Sequence, residues 1–228
     1  MARSRERPGA GCAPECAALA IGMDIKAVIF DIGNVLIEWQ PENYYDRAYG
    51  QRRREEVFDA VDLHGMNELI DQGVGFKDVI YDWADKYPAY RREIRDWHDH
   101  WIKLAAPAID HSVRLLKVLR VKGVPVYTLT NFGTENFSMA QGHYPFLKEF
   151  DRFYVSGRMK TTKPGAQIYQ MVEDDCGIAP QHLLFTDDRV DNIATAKSRG
   201  WQTHHFQNPQ SWADCLVSAG LLRAEEAA

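Results

Sequence analysis

Five short apolar runs recur along the chain, each bounded by polar or turn-forming residues. Ala27-Val28-Ile29-Phe30 stops at Asp31, and Val124 to Thr130 reads VPVYTLT. Phe153 to Ser156, Leu183 to Thr186 (LLFT) and Gln202 to Phe206 complete the set. Continuous apolar runs of this length are the mark of strands buried on both faces of a parallel sheet. The intervals carry helical stripes. Val113, Leu116 and Leu119, with Leu115 and Val118, form one face before Gly123. Ile168, Met171, Val172 and Cys176 follow Pro164 and stop at Gly177; Ile193, Ala194 and Ala196 stop at Gly200. A glycine just past the last periodic position is a helix-stop signal. Strands alternating with helices predict right-handed βαβ units, hence an α/β fold with a parallel sheet and helices on both faces. Ligands of such sheets sit beyond the carboxyl ends of the strands.

Residues 41–105 break this rhythm. They hold no long β-type run, and 24 of the 65 are charged. They also hold 11 of the chain's 26 aromatics, at helical spacings such as Ile80-Trp83-Ala84-Tyr87 and Ile94-Trp97-Trp101. The pattern predicts an inserted helical bundle whose aromatics form its own small core. The remaining division follows: 1–23 a disordered extension, with Met23 a possible start; 24–40 and 106–222 one split α/β core; 223–228 a short tail.

Length supports that division. At ~150 residues per domain, 228 residues make one domain and a half. Apolar residues are 45% and charged residues 26%, ordinary for a globular chain. The net charge of −5 excludes a general basic surface for nucleic acid or anionic lipid. No stretch approaches the ~18 apolar residues of a membrane span, and the N-terminal apolar run is too short for a signal peptide. Cys12, Cys16, Cys176 and Cys215 make no disulfide framework. A reducing, cytoplasmic setting is the expectation. Cys12 and Cys16 lack a second ligand pair or nearby histidine, so zinc is not expected there.

Four polar signals stand at strand ends, in order. Asp31-Ile32-Gly33-Asn34 follows the first buried run, where a carboxylate can project into the crevice. Thr130-Asn131 offers a hydroxyl and an amide able to bind an oxyanion. Lys163-Pro164 opens a helix, with Pro164 in its first turn and Lys163 a cation just ahead of it. Asp187-Asp188-Arg189-Val190-Asp191-Asn192 concentrates negative charge with no structural need for it. A divalent cation best offsets such repulsion, and all-oxygen ligands point to a hard ion such as Mg²⁺. Each signal taken singly also fits a polar strand end or a surface lysine.

As an ordered set they resemble the haloacid dehalogenase (HAD) superfamily of hydrolases, over nearly everything from Asp24 to about Leu222. The forms DIGNVL, TN, KPGAQIY and DDRVDN look most like a bacterial subgroup that includes an α-D-glucose-1-phosphate phosphatase. The resemblance implies a Rossmann-like core, with residues 41–105 as the helical cap. It implies Asp31 as nucleophile, Thr130 as the second-motif hydroxyl, Lys163 as the third-motif lysine, and Asp187 and Asp188 as the acidic fourth motif. Mg²⁺ would be held by Asp31, the carbonyl of Gly33 and Asp188. Asp187 would hold a metal-bound water or orient Lys163. Thr130, Asn131 and Lys163 would bind the transferring phosphoryl group of a small phosphate ester, through an aspartyl-phosphate.

One position departs from the family pattern. Most family phosphatases carry an acid-base aspartate two residues after the nucleophile. Here that residue is Gly33, as in the resembling subgroup. The metal ligand there is only a carbonyl, so the metal site survives while the proton donor is missing. Asp62 and His64 in the cap are candidates for it. Two other functions compete with this one. A 2-haloacid dehalogenase would use Asp31 on carbon without metal, but the acids at 187, 188 and 191 would repel a haloacid. A non-catalytic binding protein has only Gly33 in its favour. The neighbouring His98/His100 and His204/His205 have no metal-site spacing.

Overall fold

The computed structural model describes residues 24–228. Cys12, Cys16 and the proposed N-terminal extension lie outside the described residues. The sheet is built from β1 (Ala27–Phe30), β4 (Val126–Thr130), β5 (Arg152–Val155), β6 (Leu183–Asp187) and β7 (Gln202–His205). Its order is β5-β4-β1-β6-β7, with every neighbouring pair parallel. The chain therefore winds outward from β1 on one side, then returns to wind outward on the other. A crevice opens where the order reverses, at the carboxyl ends of β1, β4 and β6.

Successive strand residues point to opposite faces, and the core divides accordingly. Val28, Phe30, Val126 and Leu184 pack with α7 (Asp110–Val121) and α12 (Pro209–Ser218) on one side. Ala27, Ile29, Tyr127, Leu129, Leu183 and Phe185 pack with α10 (Ala166–Cys176) and α11 (Val190–Ser198) on the other. Both faces are covered, which is why inner strands such as Ala27–Phe30 and Leu183–Phe185 read as unbroken apolar stretches, while the edge strand β7, Gln-Thr-His-His, does not. Gly177 and Gly200 take positive φ at the ends of α10 and α11, as the stop signals predict. Short α8 (Thr134–His143), α9 (Ser156–Met159) and α13 (Ala224–Ala227) complete the α/β part.

Between β2 (Ile37–Trp39) and β3 (Ala105–Ala108) the chain forms α1 (Pro41–Tyr49), α2 (Gln51–Ala60), α3 (Leu63–Asp71), α4 (Phe76–Lys86), α5 (Arg91–Asp99) and α6 (Trp101–Leu104). β2 and β3 pair antiparallel and form the neck of this insertion. The sequence reading has no counterpart for this ribbon, because a three-residue strand and Ala-Ala-Pro-Ala carry no β pattern. The insertion's aromatics do pack together. Tyr45 meets Phe58 at 5.2 Å and Trp39 meets Trp97 at 5.7 Å between ring centroids. They are not a separate core, however. Trp101 continues the cluster to Phe132 of the α/β part at 5.4 Å, and one apolar cluster spans both.

Pro164 also differs from expectation. α10 begins at Ala166 with Gly165 as its N-cap, and Gly165 N–H donates to the Thr162 carbonyl at 2.9 Å. Pro164 thus lies in a turn before the helix, joined to Lys163 by a cis bond. Among the described residues no helix is long and apolar enough to cross a membrane. Among the described residues, Cys176 and Cys215 form no disulfide.

Candidate active site

Three strand ends supply the floor of one cavity of about 520 Å³. Asp31 follows β1 and its N–H extends the ladder to the Thr186 carbonyl at 3.0 Å. Its Oδ1 accepts from Ile32 N–H at 2.7 Å. Asp187 ends β6 and Asp188 follows it; strand alternation turns them to different sides. Asp187 is fully buried, while Asp188 is half-buried and lines the cavity. One carboxylate oxygen from each of Asp31, Asp187 and Asp188 lies within 4.8 Å of the others.

Lys163 enters this cluster from the turn before α10. Its Nζ donates to Asp187 Oδ2 at 2.6 Å and stands 3.0 Å from Asp31 Oδ1. The lysine side chain is 1% exposed. Asn131, just past β4, clamps its backbone: Asn131 Nδ2 donates to the Lys163 carbonyl, and Lys163 N–H donates to Asn131 Oδ1, both at 2.9 Å. The Asn131 side-chain amide is thereby committed to placing Lys163. Thr130 ends β4, is 1% exposed and lines the same cavity.

A second set of bonds holds the carboxylates. Asn192 Nδ2 donates to both Asp187 oxygens, at 2.9 and 3.0 Å, and Arg189 N–H donates to Asp187 Oδ1 at 2.8 Å. Asn34 Nδ2 donates to Asp188 Oδ2 at 3.0 Å, while its Oδ1 accepts from Trp39 N–H at 2.9 Å. His205 Nε2–H donates to the Asp188 carbonyl at 3.0 Å, which sets its tautomer. Neither Asn34 nor His205 is given a site role by sequence alone. Asn34 adopts φ 54°, a left-handed conformation that asparagine tolerates better than most residues, and this alone hints at a special position. Asp191 stands apart from the cluster, paired with Arg189 at 2.8 Å.

The charges do not balance. Three acids face one lysine. Burial, together with the charges of Asp187 and Asp188, pushes the Asp31 carboxyl up to about 7 despite Lys163. Asp188 is raised as well, by burial first, against the Asn34 bond. Burial disfavours the Lys163 charge, but Asp187 and Asp31 together outweigh it and hold the group above its ordinary value. A hard divalent cation fits this donor set, because it needs several carboxylate oxygens and supplies the missing positive charge.

The wall opposite the floor comes from the insertion. His64, Asn67, Glu68, Asp71 and Gln72 of α3 and its end line it, with Trp101. His64 Nε2 is bonded to Glu42 Oε1 at 2.9 Å. Asp62 is exposed and caps α3 by accepting from Gly65 N–H at 2.8 Å, outside the cavity lining.

The sequence and fold have known relatives. D-ribitol-5-phosphate phosphatase of Bacteroides thetaiotaomicron is 23% identical over 207 residues, covering 85% of this chain and 97% of that protein. The sesquiterpene phosphatase astK of Aspergillus oryzae is 28% identical over 210 residues, covering 86% and 96%. The drimenol cyclase drtB of Aspergillus calidoustus is 21% identical over 192 residues; the match takes in 80% of this chain but spans only about a third of that protein, 34%. Among solved structures, a HAD family enzyme of Bacteroides thetaiotaomicron in complex with magnesium and inorganic phosphate superposes with a TM-score of 0.60. It is 24% identical, covering 81% of this chain and 95% of the other. The model of the haloacid dehalogenase-like hydrolases matches residues 25–200, and this chain belongs to that family.

Proposed function

We propose that the protein is a divalent-cation-dependent phosphatase for a small phosphate monoester, working through an aspartyl-phosphate on Asp31. The observation that carries this reading is the convergence of three carboxylates and one buried lysine on the floor of one cavity. Phosphoryl transfer needs positioning and charge neutralisation above all. Mg²⁺, held by Asp31, Asp188 and the Gly33 carbonyl, would supply the charge that lets an anionic nucleophile approach an anionic phosphate. Asp31 is held by Ile32 N–H and Lys163, and its Oδ2 attacks phosphorus. Lys163, Thr130 and the main-chain amide of Asn131 bind the phosphoryl oxygens. Asp187 orients Lys163 rather than the substrate. Residues 41–105 act as the lid that selects the leaving group, consistent with α3 forming the cavity wall. The relatives that act on phosphate esters agree in kind but differ in substrate. A haloacid would place its carboxylate against three acids, which weighs against dehalogenation.

The test is a panel of phosphate esters and 2-chloropropionate, each with Mg²⁺ and with EDTA. Phosphate release that is lost with EDTA and in Asp31→Asn is the expected result. Chloride release insensitive to EDTA would overturn the reading.

A further inference from the structure

Building on that reading, we propose that Asp71 of the helical insertion gives and takes the leaving-group proton. An alkoxide is a poor leaving group, and a positioned acid speeds its departure by about 10²–10⁴-fold. The floor of the cavity has no acid to spare for this. Asp31 and Asp187 are engaged by Lys163, Asp188 is held by Asn34, and residue 33 is a glycine. The acid must come from the walls. The titratable groups lining them are Glu38, His64, Glu68 and Asp71. Glu38, His64 and Glu68 are exposed, and His64 is turned to Glu42. Asp71 is half-buried in the cavity wall and lies in the field of both Asp31 and Lys163.

The surroundings fix Asp71 closely. Asn67, one turn earlier on α3, donates from Nδ2 to Asp71 Oδ2 at 3.0 Å. Asn67 is itself held by Trp97 Nε1–H, 3.2 Å from its Oδ1. The Asp71 carbonyl accepts from Ser156 Oγ–H at 2.6 Å, and Ser156 Oγ in turn accepts from Phe132 N–H at 2.9 Å. A single hydroxyl thus registers the Asp71 backbone to the chain two residues beyond Thr130. The two segments touch without room for a side chain between them: a Cβ on Gly133 would lie 2.5 Å from Ile70 Cγ2.

The groups facing the Asp71 carboxyl are Asp31 beyond β1, Lys163 before α10, and Glu68 on its own helix. Burial, then the charges of Asp31 and Glu68, push it up to about 8 against Lys163, so it keeps a proton near neutrality. In the first step Asp31 forms a bond to phosphorus and the ester P–O bond breaks with its electron pair on the leaving oxygen. Protonated Asp71 gives that oxygen its proton, leaving an alcohol and the Asp71 carboxylate. In the second step Asp71 takes a proton from water as the water oxygen attacks phosphorus. The bond to Asp31 breaks, and inorganic phosphate, the Asp31 carboxylate and protonated Asp71 result.

The experiment compares wild type, Asp71→Asn and Asp71→Glu on an alkyl phosphate and on p-nitrophenyl phosphate, whose leaving group needs no proton. Asp71→Asn should lower kcat/KM for the alkyl ester by about 10²-fold or more relative to the aryl ester. It should also flatten the alkaline limb of the pH profile, with partial recovery in Asp71→Glu. Urea unfolding and calorimetric Mg²⁺ binding of the three proteins check that fold and metal site are retained. Equal loss on both esters, or none on either, overturns the assignment. Failure of wild type to release phosphate from any ester overturns it together with the phosphatase reading.

Discussion

Replacing Lys163 with methionine, a side chain of similar length and no charge, isolates the buried cation from its surroundings. The lysine side chain is 1% exposed, and its partners Asp187 and Asp31 are 0% and 10% exposed. Removing one partner of a buried ion pair costs about 3–5 kcal/mol, since the other charge is left uncompensated. Asp187 keeps its bonds from Asn192 and Arg189, which favours the lower end, about 3 kcal/mol. With a urea m-value near ~3 kcal/mol/M, the unfolding midpoint in EDTA falls by about 1 M. Mg²⁺ replaces part of the missing charge, and a ligand at 100 times its Kd returns about 2.7 kcal/mol. That gain comes to both proteins, so the gap narrows only through tighter binding by Lys163→Met, which lacks the cation that competes with Mg²⁺ for the same carboxylates; the difference in urea midpoint should be widest in EDTA and smaller in saturating Mg²⁺. Turnover of Lys163→Met in saturating Mg²⁺ should stay about 10²–10³-fold below wild type, as for loss of one oxyanion-binding donor. Equal stability of Lys163→Met and wild type in EDTA, within about 0.5 kcal/mol, would refute the buried charge cluster.

Three further outcomes follow from the same geometry. In EDTA, Asp31 and Asp71, ordinarily at 3.8 but at about 7 and about 8 when folded, take up protons on folding. Their stabilisation is complete below pH ~4 and is lost as pH rises through 7 to 8, by up to ~1.4 kcal/mol per pH unit for each group. His204, buried and held down at about 4 against its ordinary 6.5, opposes this trend only below pH ~6.5. Urea midpoints should then fall between pH 6.5 and 8 in EDTA; a rise there would contradict the carboxyl placement. Asn34→Ala removes the bond to Asp188 and should weaken Mg²⁺ binding about 10–100-fold by calorimetry. Asn34→Gly, which accepts φ 54° without strain, should weaken it equally; full affinity in Asn34→Gly would assign the effect to backbone strain. Gly157→Ala places a Cβ 2.8 Å from the Phe132 carbonyl oxygen and 2.9 Å from Gly133 Cα, both backbone atoms. It should destabilise by about 1–3 kcal/mol in urea, and a wild-type midpoint would show that the seam can shift.

The parallel sheet was legible because burial on both faces leaves unbroken apolar runs such as AVIF and LLFT. The polar residues that end them, Asp31, Thr130 and Asp187-Asp188, could be assigned to one crevice for the same reason. The neck ribbon was not legible, since Ile37–Trp39 and Ala105–Ala108 gain their strand character only by pairing across the whole insertion. The bonds that hold the site were equally hidden. Asn34 reaches Asp188 over 154 residues and Asn131 reaches Lys163 over 32, distances at which one sequence carries no pairing signal. Asp71 reads as one more acid at the end of a helix until α3 is laid against the loop after β4. Pro164 illustrates a local failure: proline suits a first helical turn and a preceding turn alike, and the Gly165–Thr162 bond decides for the latter.

In the proposed mechanism Asp31 carries the phosphoryl group during turnover. Acid-quenching the Mg²⁺-loaded enzyme with a phosphate ester, followed by borohydride reduction and peptide mass spectrometry, tests it directly. The expected product is Asp31 converted to homoserine, dependent on both ester and Mg²⁺. Unmodified Asp31 in an enzyme that is releasing phosphate would contradict it.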